Sequence, residues 1–99
     1  MSHRGSLLCL PSGVWGWPVT RAEEIREATL APVFESATGI DLFLIGTGRD
    51  PWALPQALRE RFKALAIAVE VSATGSAVST YNLLLQEGRL VAAGLIAVE

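Results

Sequence analysis

The residues with the most chemical potential sit in two short polar stretches. Gly46-Thr47-Gly48-Arg49 follows the apolar run Leu42 to Ile45, and Thr74-Gly75-Ser76 follows Ile67 to Val71. Each has the form of a loop that leaves the C-terminal end of a strand and opens a helix. In an open α/β sheet that edge is where ligands bind, and helix N-termini offer N–H groups to an anion. If the two strands are neighbours, the loops converge. Gly46, Thr47, Gly48, Arg49, Thr74, Gly75 and Ser76 then line a small polar crevice, with Tyr81 and Asn82 a turn or two down the helix. A small molecule or anion suits that crevice; the same residues also serve simply to cap helices and turn the chain.

More specific chemistries fail on detail. After Gly46-x-Gly48 the third glycine position of a dinucleotide fingerprint is Pro51, and no Gly-Lys-Ser/Thr follows to make a phosphate loop. A nucleophile at Ser72, Ser76 or Ser79 lacks a plausible base, because the one histidine, His3, lies in an N-terminus expected to fray. The same fraying argues against a pair of His3 with the single cysteine, Cys9, which reads as a small buried apolar residue. No His, Cys or carboxylate cluster has metal-ligand spacing. No catalytic residue, metal or cofactor is assigned.

A different kind of site is suggested by aromatics. In an extended Val14-Trp15-Gly16-Trp17-Pro18 segment, Trp15 and Trp17 point to one face. They either cover the end of a small sheet or, with Trp52, form an edge that docks a protein partner.

Behind these residues must stand one domain. The 99 residues are 51% hydrophobic and 18% charged with a net charge of -2, enough for a single modest core and too apolar for a disordered chain. The charge balance argues against a nucleic-acid partner, which calls for clustered Lys and Arg. The longest apolar run, Leu90 to Val98, is too short to span a bilayer, and no signal peptide is visible, so a soluble, cytoplasmic protein is expected.

Strands are expected at Ser6 to Leu10, Asp41 to Ile45, Ile67 to Val71 and Leu90 to Val98, the last an unbroken apolar run suited to the sheet interior. Between the first two, Thr20 with Glu23 forms a capping-box pattern, and Thr29 precedes a helix whose first turn tolerates Pro32. Leu54, Leu58, Phe62 and Leu65 give a helix over Trp52 to Ala64, opened by Pro51. A second helix runs from Ala77 to Gln86, with Gly88 as its stop.

Three stretches in order carry a family resemblance: Ile40-Asp-Leu-Phe-Leu-Ile-Gly-Thr-Gly-Arg49, Val69-Glu-Val-Ser-Ala-Thr-Gly-Ser-Ala77, and Thr80 through Ala97. They resemble the domain-of-unknown-function family that includes mitochondrial NADH dehydrogenase (complex I) assembly factor 3 and adipogenesis-associated proteins. The resemblance implies a three-layer α/β fold: a mixed, mostly parallel central sheet with helices packed on it and a small N-terminal antiparallel strand pair. It implies an unassigned role in bacteria and an assembly role in mitochondria, and it brings no catalytic residue. Relatives carry a further strand ahead of the position of Met1. The expected function is a non-enzymatic interaction module for a protein partner such as a membrane-complex subunit, the alternative being a small-molecule or anion-binding protein, whether or not an enzyme, at the Gly46-Gly48 and Thr74-Ser76 loops.

Overall fold

Alternation of side chains along the strands decides how the chain layers. The computed structural model describes residues 5–49 and 52–97, so His3 and Pro51 lie outside the described residues. The strands are β1 (Ser6–Leu10), β2 (Gly13–Trp17), β3 (Leu42–Gly46), β4 (Ala68–Ser72) and β5 (Val91–Leu95); the helices are α1 (Ala31–Glu35), α2 (Gln56–Ala64) and α3 (Thr74–Gln86). The strands form one five-stranded sheet in the order β2-β1-β5-β3-β4. β3 pairs in parallel with β4 and β5, whereas β1 runs antiparallel to both β2 and β5. The mixed sheet with an antiparallel N-terminal pair is thus the one read from the sequence, and β5 does lie inside it.

Odd and even residues of β3 serve different cores. Phe43 and Ile45 join Leu8, Leu10, Trp17, Phe62 and Ala92 beneath α2 and the segment 19–40. Leu44 faces the other way, with Cys9, Ala77, Val91 and Ala93 beneath α3. This burial on both faces is why the run Leu42 to Ile45 shows no polar alternation. On the larger side, Phe62 stacks on Phe43 at 5.6 Å and meets Phe34 edge-on at 5.2 Å. Arg61 covers Phe34 at 4.9 Å from its guanidinium carbon while pairing with Glu27 at 2.8 Å, which ties α2 to the chain ahead of α1.

Several local expectations shift by a few residues. The turn cap is completed by Glu24, not Glu23: its carboxylate accepts from the N–H and hydroxyl of Thr20, both at 2.7 Å, and from the Arg21 N–H. The turn it closes is a 3-10 turn at Ala22–Glu24 whose N-cap is Arg21, so the box keeps its spacing of three residues but starts one residue later than Thr20. Thr29 folds back on the preceding turn, its hydroxyl accepting from the Arg26 N–H at 2.9 Å, and Leu30 becomes the N-cap of α1. Pro32 does fall in the first turn of α1. α2 starts at Gln56 behind Pro55, so Trp52 and Leu54 belong to an extended approach. α3 starts at Thr74, which makes Thr74, Gly75 and Ser76 its first turn instead of a loop.

Candidate functional site

Because β3 and β4 are neighbours, the two polar stretches do meet. The contact is made by backbone and by two threonine hydroxyls, that of Thr47 donating to Ser72 C=O at 3.3 Å. Thr47 N–H donates to Ser72 C=O at 3.0 Å and Thr74 N–H to Gly48 C=O at 3.0 Å. Thr74 Oγ1 donates to Ile96 C=O and accepts from Gly48 N–H, each at 2.8 Å. Gly46 is where this knot is tightest: a Cβ there would stand 2.8 Å from Thr74 Cα. Gly48 makes the turn with φ +78°, a conformation in which other residues are strained. The sheet edge at which open α/β folds receive ligands is therefore filled by the first turn of α3.

A crevice of about 260 Å³ opens beside this knot instead. It is lined by Thr47, Gly48, Arg49 and Trp52 from one side and by Thr20, Arg21 and Glu23 from the other. Thr74, Gly75, Ser76, Tyr81 and Asn82 do not line it. Tyr81 packs on the α3-side core near Cys9, while Asn82 is exposed. Arg21 and Glu23 escaped the sequence reading because the fold brings them from a segment some 25 residues away, and a lone Arg in a turn carries no signal.

The tryptophans divide. Trp17 is 4% exposed; its indole N–H donates to Thr29 C=O at 2.9 Å, and its ring lies so close over Gly94 that a Cβ there would stand 2.8 Å away. Trp15 is 55% exposed, its indole N–H reaching only Ser12 Oγ at 3.3 Å. Between them runs a groove of about 480 Å³, walled by Leu8, Leu10, Trp15 and Pro32, with Glu35 at its rim. Trp52 is half-buried, packed on the main core and facing the smaller crevice.

The ionisable groups follow burial. Desolvation pushes the Cys9 thiol up from its ordinary value, keeping it protonated. It does the same to the Tyr81 phenol, with the neighbouring Cys9 adding to the effect. Glu24 moves the other way, held down first by its hydrogen bonds from Thr20 and then by that from Arg21.

Residues 1–96 match the model of a family described as protein of unknown function (DUF498/DUF598). An uncharacterised protein of Rhodobacter capsulatus is 37% identical over 95% of this chain and 70% of its own length. NADH dehydrogenase (ubiquinone) 1 alpha subcomplex assembly factor 3 of Mus musculus is 32% identical over 93% of this chain. Only 50% of that relative is covered, so the chain spans half its length. Among solved structures, one described as an outer membrane protein from Bartonella henselae superposes with a TM-score of 0.93 at 42% identity, over 100% of this chain and 83% of that one.

Proposed function

Since the chain belongs to the DUF498/DUF598 family of proteins of unknown function, we propose that it is a protein-interaction module, working as an accessory or assembly factor for a respiratory membrane complex. The observation that carries this reading is the kinship with complex I assembly factors over 93% of the chain. Exposed Trp15, at the mouth of an apolar groove, supplies a plausible anchor, since large aromatic side chains set beside a pocket dominate protein contacts. Glu35 at the rim would orient a partner carrying Lys or Arg.

The test is deletion of the gene in its own host, with respiratory complexes from the membranes resolved by native electrophoresis. The expected result is a loss of one assembled complex that the intact gene restores and a Trp15→Ala copy does not. Unchanged complexes in the deletion strain would contradict the reading.

A second reading has one specific support: Arg21 and Arg49 share the smaller crevice with Thr20, Thr47 and Trp52, two guanidinium groups against the one carboxylate of Glu23, a set able to hold a small carboxylate or phosphate. On that reading phosphate or a dicarboxylate raises the melting temperature of the intact protein and of neither Arg21→Ala nor Arg49→Ala. No rise in the intact protein would dismiss it.

A further inference from the structure

We propose that β2 is an interface between two copies of this chain, pairing antiparallel with its own counterpart about Trp15. β2 is one of the two edge strands of the sheet, β4 being the other. Leu10 and Gly13 close the two-residue turn between β1 and β2, and in an antiparallel pair the residues that bond to the partner strand alternate with those that do not. The N–H and C=O groups of Val14 and Gly16 therefore face outward. Val14, Trp15 and Gly16 are all exposed, Val14 by 63%. Edge strands are normally blunted with charge, proline or a bulge; Gly13–Trp17 has none of these.

The occupant is argued from self-complementarity. Centred on Trp15, an antiparallel copy sets Val14 opposite Gly16 and Gly13 opposite Trp17, so each bulky side chain but one faces a glycine. The exception, Trp15, faces itself across the axis, on the groove side, where an aromatic cross-strand pair is favourable. Val14 and Gly16 have their outward groups in register to exchange both hydrogen bonds. A two-fold axis brings each charged residue near its own copy, and this strand has no charge to repel itself. The joint would merge two sheets into one and leave the groove floor of Leu8 and Leu10 open; it does not rest on the partner proposed above, with which it would share Trp15.

Strands this short place the contact at the small end of specific interfaces, below about 1,200 Å², with association at roughly tens to hundreds of micromolar. Sedimentation velocity of the purified protein from roughly 10 µM to 1 mM should show a monomer becoming a dimer. Amide exchange at Val14 and Gly16 should slow as concentration rises, while that at exposed Leu83 does not. Val14→Lys sets two ammonium groups diagonally across the axis and should weaken association by about tenfold or more without lowering the melting temperature. Gly16→Val, which fills the space opposite Val14, should do the same. A monomer throughout that range overturns the proposal. So does a dimer that neither substitution weakens, or a monomer whose β2 edge takes up a segment of a different protein.

Discussion

Gly46 is a residue whose reason differs from the one its neighbourhood suggests. Beside Gly48 in a turn, it reads as conformational freedom, yet the positive φ belongs to Gly48, and Gly46 ends β3 with no room for a side chain. Gly46→Ala should destabilise the protein by about 1–3 kcal/mol, because the nearest atom is the backbone of Thr74 and cannot swing aside. Urea unfolding measures this, and a wild-type midpoint would mean that α3 shifts freely on the sheet. Glu24 gives a pH prediction. Its pKa is lowered in the folded state, so its contribution is fully present above the ordinary glutamate range and is lost as pH falls through the folded value. Glu24→Gln should flatten that acid limb, and a carboxyl titration by NMR should show the depressed midpoint directly. The hydrogen-bonded acid near Thr20 was legible as a pattern; which glutamate filled it depended on whether Thr20 or Arg21 is the N-cap, since Glu23 and Glu24 stand at the same spacing from one and the other.

The helix ends show where element-level reading works and where it stops. Gly88 was legible as the stop of α3 because glycine announces the left-handed position; there it has φ +76°, with Arg89 N–H donating back to Leu84 C=O at 3.0 Å. α2 ends with the same device at Ala66, φ 58°, where Ile67 N–H returns to Phe62 C=O at 3.0 Å. An alanine gives no such signal. Because Ala66 is exposed, Ala66→Gly should relieve the strain without leaving a cavity. The expected gain is about 1 kcal/mol, a rise of roughly 4–8 °C in melting temperature. Calorimetry of the variant decides this, and a lower melting temperature would show that the backbone accommodates alanine there at little cost. The start of α3 was missed for a related reason. Thr74, Gly75 and Ser76 are poor helix formers, and the packing of Thr74 over Gly46, visible only in three dimensions, outweighs that.

At the scale of the whole molecule, the parallel unit β3-α2-β4-α3-β5 was legible because its strands are short apolar runs and its helices repeat apolar residues every three or four positions. What was not legible is the placement of residues 19–40, whose short turns have no period and are ordered by burying Val19, Ile25, Leu30 and Val33 against the sheet. That placement buries Trp17, leaves Trp15 outside, and moves the polar crevice away from α3 toward Arg21. Among the described residues no helix is long and apolar enough to cross a membrane. The central claim is that position 15 touches another protein. A photoreactive phenylalanine analogue at position 15, irradiated in living host cells, tests this most directly, with the same probe at the exposed Arg59 position of α2 as the reference. The expected result is a discrete adduct with a respiratory-complex protein from position 15, distinct from any adduct between two copies of this chain, and none from position 59. Adducts with other proteins no more abundant at position 15 than at position 59, with or without a self-adduct, would contradict the claim.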